Sequence, residues 1–361
     1  MQRKILITLI LLTMFFTAGC EEGPRVILAP DYEMDEYAPT AISEYTPAPS
    51  DPKPTPTMPP FSISSSMYTL PSGAMSFRPP LIWEKHTENT NYAKFISRDK
   101  RAFFEAGYES TGYDLDQEAF DRYVDNAINA LYAQSEQFTV KEDIQETGRR
   151  VITSQFLMNG LVWKTRDVFI QKNYVVYFFS FHALQADWEY YLPGFEQIYS
   201  SLESNTRFVT TDDLYEFTTV YVDPGNIFRV RKPIGWSASG VVTISEGTKS
   251  EVLEAPDGLA FFRVLIHQPS EPLTPSNVGQ TAIALLREVI AEDMAFTNDQ
   301  ILPDGRIRLN WTASSIVSRG FSFFWLEGYD LYVISFWQDN SKEGIYQQAN
   351  FQIGDSFKFL K

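Results

Sequence analysis

Two stretches of the chain carry the same landmarks in the same order, and that repetition limits the fold more than anything else in the sequence. "YTLPSGAMSFRPPLIW" runs over 68–83 and "YVDPGNIFRVRKPIGW" over 221–236. Each sets Pro three residues after Tyr (Tyr68/Pro71, Tyr221/Pro224), then Phe-Arg (Phe77-Arg78, Phe228-Arg229), then Pro-x-x-Trp (Pro80/Trp83, Pro233/Trp236). Downstream, "DKRAFF" at 99–104 answers "DGLAFF" at 257–262, and "NAINAL" at 126–131 answers "TAIALL" at 281–286. "YFFSF" at 177–181 answers "YVISF" at 332–336. Ser180 and Ser201 stand 21 residues apart, as do Ser335 and Ser356. Self-similarity of this kind marks a unit used more than once. The expectation is a tandem duplication, with modules at 61–204 and 205–361.

Each module reads the same way. Strand-like runs lead to a helix, then to further strands and a closing amphipathic segment. In the first module Asp114 is the expected N-cap, with Gln117 three residues on. Leu115, Ala119, Tyr123, Val124, Ala127, Ile128 and Leu131 then form an apolar stripe at helical spacing. In the second, Pro275-Ser276 opens a helix striped by Val278, Ala282, Leu285, Leu286 and Val289. Runs such as "RRVITSQFLM" and "SSIVSRGFSFFWL" follow as antiparallel strands, and "YLPGFEQIYSSL" or "IYQQANFQIGDSF" closes each module. The fold class predicted is α+β: two tandem antiparallel sheets, each covered by helices.

These modules resemble the PsbP-like fold family, which includes the photosystem subunit PsbP and bacterial DcrB-type lipoproteins. The resemblance rests on Phe followed by Pro-x-x-Trp, the central helix, the aromatic hairpin, and the closing Phe195…Ser201-Leu202 and Phe351…Ser356-Phe357. It implies a sheet-and-helix sandwich used for binding or assembly. It brings no catalytic residues, and no metal-binding or docking residues are carried over.

The N-terminus reads as an export signal. Arg3 and Lys4 precede an apolar run, Ile5 to Phe16, too short to span a bilayer as a helix. Thr17-Ala18-Gly19-Cys20 follows, and Cys20 is the single cysteine of the chain. This ending resembles the lipobox of bacterial lipoproteins. The resemblance implies cleavage after residue 19, diacylation of Cys20, and an extracytoplasmic protein held on a membrane by two acyl chains. Residues 20–60, with "YTPAPSDPKPTPTMPP" at 45–60, read as a disordered Pro/Thr-rich tether.

Chemistry is sparse. A formal net charge of −16 argues against nucleic acid, whose affinity comes from Lys and Arg on phosphates. His86, His182 and His267 are the three histidines; the last two follow strands and read as strand-edge residues. Zinc would want several such ligands at compatible spacing. Asp114/Asp116, Asp212/Asp213 and Glu292/Asp293 are carboxylate pairs without a calcium-loop spacing. No phosphate-binding Gly loop and no nucleophile elbow occurs. Trp83 and Trp236 recur at one repeat position and suit core packing, while Trp163, Trp188, Trp311, Trp325 and Trp337 suit core or groove. The expected function is a non-enzymatic, lipid-anchored envelope protein without a cofactor, presenting two modules to a protein partner. The alternative is a small-ligand or glycan-binding lipoprotein with an aromatic-lined pocket.

Overall fold

Runs such as "RRVITSQFLM" and "VVYFFSF" are dense in β-branched and aromatic residues, and each falls within one long strand. The computed structural model describes residues 61–210, 214–303 and 305–360. The export signal, Cys20, the tether, Asp212 and Asp213 lie outside the described residues.

The chain lays down β1 (Tyr68–Thr69), β2 (Met75–Phe77), β3 (Glu84–Glu88), β4 (Tyr92–Ile96) and β5 (Ala102–Ser110). Helix α1 (Gln117–Leu131) leads to β6 (Glu136–Glu146), β7 (Arg149–Met158), β8 (Leu161–Lys172) and β9 (Val175–Leu184). Helix α2 (Trp188–Ser200) and β10 (Glu203–Ser204) follow. Next come β11 (Thr218–Val222), β12 (Phe228–Pro233), β13 (Ser237–Ala238), β14 (Val242–Ser245), β15 (Thr248–Glu254) and β16 (Ala260–His267). Helix α3 (Val278–Val289) precedes β17 (Ala295–Ile301), β18 (Ile307–Ala313), β19 (Ser318–Glu327) and β20 (Asp330–Asp339). Helix α4 (Ile345–Ser356) and β21 (Lys358–Phe359) complete the described chain.

One large sheet has the order β3-β4-β5-β9-β8-β7-β6; the other runs β13-β15-β16-β20-β19-β18-β17, with β14 also on β15. Two small sheets, β1-β2-β10 and β11-β12-β21, complete the set. The named strands pair antiparallel throughout, and with four α-helices among the described residues the architecture is α+β. No helix among the described residues is long and apolar enough to cross a membrane.

Residues alternate between faces along each central strand. Phe104, Ala106 and Tyr108 of β5 share a buried cluster with Trp188, Tyr191, Phe195 and Ile198 of α2. Phe103, next to Phe104 and on the other face, clusters with Ala119, Phe120, Tyr123 and Val124 of α1. On β20, Tyr332, Ile334 and Phe336 cluster with Tyr346, Ala349 and Ile353 of α4. Leu331, Val333 and Trp337 cluster with Ala282, Leu285 and Leu286 of α3. Helix α1 starts later than Asp114 predicts: Asp116 is the N-cap, accepting from the Ala119 N–H at 2.8 Å. Gln117 is the first helical residue, and its side chain donates to Asp121 instead of reaching back.

Several bonds occur twice. The Ser201 hydroxyl donates to Ile198 O at 2.6 Å and accepts from the Arg78 N–H at 2.8 Å. The Ser356 hydroxyl donates to Ile353 O at 2.7 Å and accepts from the Arg231 N–H at 2.7 Å. Tyr68 donates to Glu88, and Tyr221 to Glu251. Trp83 meets Phe61 and Tyr191 edge-on at 5.7 Å; Trp236 meets Tyr215 at 6.2 Å and Tyr346 at 5.9 Å in the same way. These pairings correct one sequence match. Phe77-Arg78 corresponds to Val230-Arg231, not Phe228-Arg229, because Tyr68 opposes Phe77 and Tyr221 opposes Val230.

Removing either serine hydroxyl orphans a strand N–H at the junction of helix and small sheet. Ser201→Ala and Ser356→Ala are each expected to cost about 1–2 kcal/mol in urea unfolding. Ser200→Ala loses only a bond back to Glu196 O and is expected to cost less than about 0.5 kcal/mol.

Candidate functional site

At one end of the second large sheet, β18, β19 and β20 open a cleft of about 280 Å³ beneath α4. Trp311, Gly320 and Trp337 are direct partners across the three strands. A Cβ at Gly320 would strike the Phe336 carbonyl and come within 2.6 Å of the Trp311 ring, so the indole lies over a bare stretch of backbone. Trp311 Nε1 donates to Ser322 Oγ at 3.0 Å, and Ser322 meets Ser335 Oγ at 2.8 Å, which fixes the indole. Phe321 and Phe336 stack at 4.8 Å to complete an apolar floor. Gln347 and Asn350 of α4, Gln338 of β20 and Asn310 of β18 line the rest, with Arg319 and Glu343. Those two form an ion pair, and Arg319 also donates to Asn340 Oδ1 at 3.0 Å. Asn350 is buried, and its Oδ1 has no hydrogen-bond partner among the described residues.

The first large sheet shows how that cleft arises. Ser201 and Ser356 hold matching places, 155 residues apart, as do Ser180 and Ser335. At the same offset, Glu343, Gln347 and Asn350 stand where the first sheet has Trp188, Leu192 and Phe195. There Phe195 packs on Phe181 at 4.8 Å and on Trp188 at 6.0 Å, filling the space. Phe336 keeps the place of Phe181, but the three side chains above it have become polar. The signal is present in the sequence as polar residues at 343, 347 and 350, at helical spacing, but shared landmarks such as Pro-x-x-Trp do not display it.

The α1 side of the first sheet holds a second concentration of polar groups. Lys94, Glu105, Ser180 and Asp167 are successive partners across β4, β5, β9 and β8. Burial pushes the Glu105 carboxyl up, but Lys94 Nζ at 2.9 Å and Tyr92 OH at 2.8 Å outweigh it and hold the group below its ordinary range. Burial raises Asp167 to about 7, against hydrogen bonds from Ser180, Tyr132 and Thr165. His182 corrects its sequence reading. It sits on central strand β9, stacked on Phe103 at 4.0 Å, and neither ring nitrogen has a hydrogen-bond partner among the described residues. Burial pushes it down to about 3, so it is neutral. His267 also lies on an inner strand, β16, and meets Thr248 Oγ1 at 2.8 Å; His86 is exposed on β3. In the second sheet Arg263 faces Ser335 as Glu105 faces Ser180, and Trp337 stacks on Phe261 as His182 does on Phe103. The row is sealed beneath α1 and reads as a polar layer of the core.

Of the carboxylate pairs, Asp116 is a helix cap, and Asp293 accepts from the Ser314 and Ser315 N–H groups in a turn. No group of three or more His, Cys, Asp or Glu among the described residues is placed to hold a metal ion. Trp163, Trp188, Trp311 and Trp337 are all buried core residues; the last two border the cleft but pack in the cluster on the α3 side of the second sheet. Where the two sheets meet, buried Glu109 accepts from Tyr123 OH at 2.6 Å and from the Phe217 N–H at 3.2 Å. Burial raises it to about 8, with Glu216 adding to the effect.

No family model matches the chain, and no curated protein matches it. Similar solved structures include the cyanobacterial PsbP protein, CyanoP, of Synechocystis, at 14% identity, 39% of this chain, 92% of that one and a TM-score of 0.32. A Pseudomonas aeruginosa protein of unknown function is similar at 18% identity, 39% and 96% coverage and a TM-score of 0.28. A Bacteroides thetaiotaomicron protein is similar at 9% identity, 62% and 61% coverage and a TM-score of 0.29. With TM-scores below 0.5 these are distant likenesses, and the identification of the cleft rests on the chain's own residues.

Glu109 makes stability depend on pH with a definite sign. A carboxyl raised to about 8 from 4.5 stabilises fully below its unfolded value and loses that contribution as pH climbs through 8. Glu109→Gln can turn its amide nitrogen to the Tyr123 hydroxyl and its oxygen to Phe217. Relative to this variant, the parent is expected to lose on the order of 3 kcal/mol between pH 5 and pH 9 in urea titrations. Asp167 contributes equally to both proteins and cancels in the difference.

Proposed function

We propose that the chain is a non-catalytic, membrane-anchored binding protein built from two copies of one α+β unit, and that the second copy's cleft holds a small ligand. The single observation that carries the reading is the replacement of Trp188, Leu192 and Phe195 by Glu343, Gln347 and Asn350 over a retained aromatic floor. Filling a core is favourable, so a helix face that gives up three large apolar side chains forgoes stability that the first copy keeps. Ligand pockets have this make-up, apolar walls with a few convergent polar groups. The twice-made serine, tyrosine and tryptophan contacts support the duplication. The lipobox-like Ala18-Gly19-Cys20 supports an extracytoplasmic anchor ahead of the tether. A protein partner is the second reading, favoured by Val220 and Val222, exposed on β11 either side of inward-facing Tyr221.

Two experiments test the parts separately. Cys20→Ser is expected to release the protein from the membrane fraction and abolish labelled fatty-acid uptake; unchanged retention and labelling refute the anchor. Gln347→Leu combined with Asn350→Phe restores the first copy's packing. Its thermal midpoint is expected to match or exceed the parent's, while compounds that raise the parent's midpoint lose their effect. A compound that stabilises both proteins equally binds elsewhere and removes the cleft from the account.

A further inference from the structure

The cleft's own chemistry narrows what it holds. We infer that its ligand is a neutral, polyhydroxylated ring, a sugar, bound one ring at a time; this rests on the binding role proposed above.

Charge comes first. Arg319 and Glu343 are the charged residues lining the cleft, and they satisfy each other, with Asn340 taking a further Arg319 N–H. An anionic or cationic ligand would have to break that pair to find a partner, and a chain of net charge −16 repels anions further. The other polar groups converging on the space include Gln338, Gln347 and Asn350. Each amide both donates and accepts, and so does each hydroxyl of a sugar. A ligand able only to accept, such as a ketone-rich or ether compound, would leave half of those groups unmatched. Asn350 Oδ1 already lacks a partner, so a donor is wanted on that side.

Shape comes next. The volume of about 280 Å³ suits one ring, whereas a peptide or a long acyl chain would have to extend beyond the cleft. A flat nucleobase or other aromatic would need a slot between two planes. Phe321 offers none: Phe336 lies 4.8 Å away, Phe351 5.5 Å, and the Arg308 guanidinium 4.8 Å over its ring. What remains is an apolar floor of ring edges under an amide rim. A puckered ring with C–H groups on one side and hydroxyls around its edge meets both.

The test is a titration of the whole mature chain, following intrinsic tryptophan fluorescence together with the thermal midpoint. The probes are neutral hexoses and N-acetylhexosamines, uronic acids, nucleosides, and short-chain fatty acids, each to about 10 mM, which reaches millimolar Kd values. The expected result is saturable binding by at least one neutral sugar, weakened about tenfold by Gln347→Ala and abolished by the Gln347→Leu, Asn350→Phe pair. Gln347 is exposed, so its truncation leaves the fold intact. If a nucleoside, uronic acid or fatty acid binds instead, and the filled variant loses it, the sugar assignment fails while the binding role stands. If no probe binds, or binding survives filling of the cleft, both fail.

Discussion

A strand buried on both faces has no solvent side on which to place a polar residue. The central strands of both large sheets are of this kind: β9 is buried from Val175 to Ala183, and β20 from Leu331 to Gln338. Every polar group on them must therefore find a partner along its own row of the sheet or leave a donor or acceptor unmatched. The row Lys94-Glu105-Ser180-Asp167 meets this by neutralising one carboxylate with Lys94 and hydrogen-bonding the other from Tyr132 and Thr165. The second sheet meets it with fewer charges. Arg263 donates to Val289 O, Ser322 and Ser335 bond to each other, and Ser322 accepts from Trp311 Nε1. One scaffold position thus carries an acid in one half and a base in the other, because the constraint is on pairing and not on residue type.

The same constraint explains where a cleft can open. Strand faces are fixed by neighbours on both sides, so a residue lost there leaves backbone and partners disturbed. A helix lying on the sheet is freer, since its side chains meet the floor end-on. Helix α4 keeps Tyr346, Ala349 and Ile353 buried, which hold it to the sheet. The positions over Phe336 become Gln347 and Asn350 without loosening that attachment. Space is gained at the periphery of the contact while its centre stays closed. Gly320 makes room on the other face, where its bare backbone lets the Trp311 ring pack close to the sheet in the α3-side cluster.

Much of the fold was legible from local pattern. Strand runs, turns at Asn173 and Gly328 with positive φ, and both amphipathic helices follow from periodicity and turn chemistry. What misled was local. The Phe-Arg match slipped by two residues, since two apolar-basic pairs, Phe228-Arg229 and Val230-Arg231, lie side by side and only strand pairing chooses between them. Asp114 and Asp116 both suit a cap, and the backbone conformation decides for Asp116. His182 read as an edge residue because sequence shows that it ends a strand-like run but not how many strands flank it. The cleft was legible in principle. Residues 188, 192 and 195 against 343, 347 and 350 differ in polarity, yet their meaning depends on knowing that Phe181 and Phe336 lie beneath them.

Packing links the two halves of the chain across residue 205. Leu214 pairs with Ser110 at the end of β5, and Phe217 and Ile234 lie in the same buried cluster as α1. Gly235 rests on the Tyr123 ring, where a Cβ could not fit, and Asn126 donates to its carbonyl at 3.0 Å. Tyr113 reaches the other way, to Asp257 and to Tyr346 of α4, with the Lys342 ammonium over its ring. These contacts join the two sheets even though each has its own core. Tyr346 also anchors the helix that bears the cleft's amide rim, so the first half contributes to the cleft by holding that helix in place.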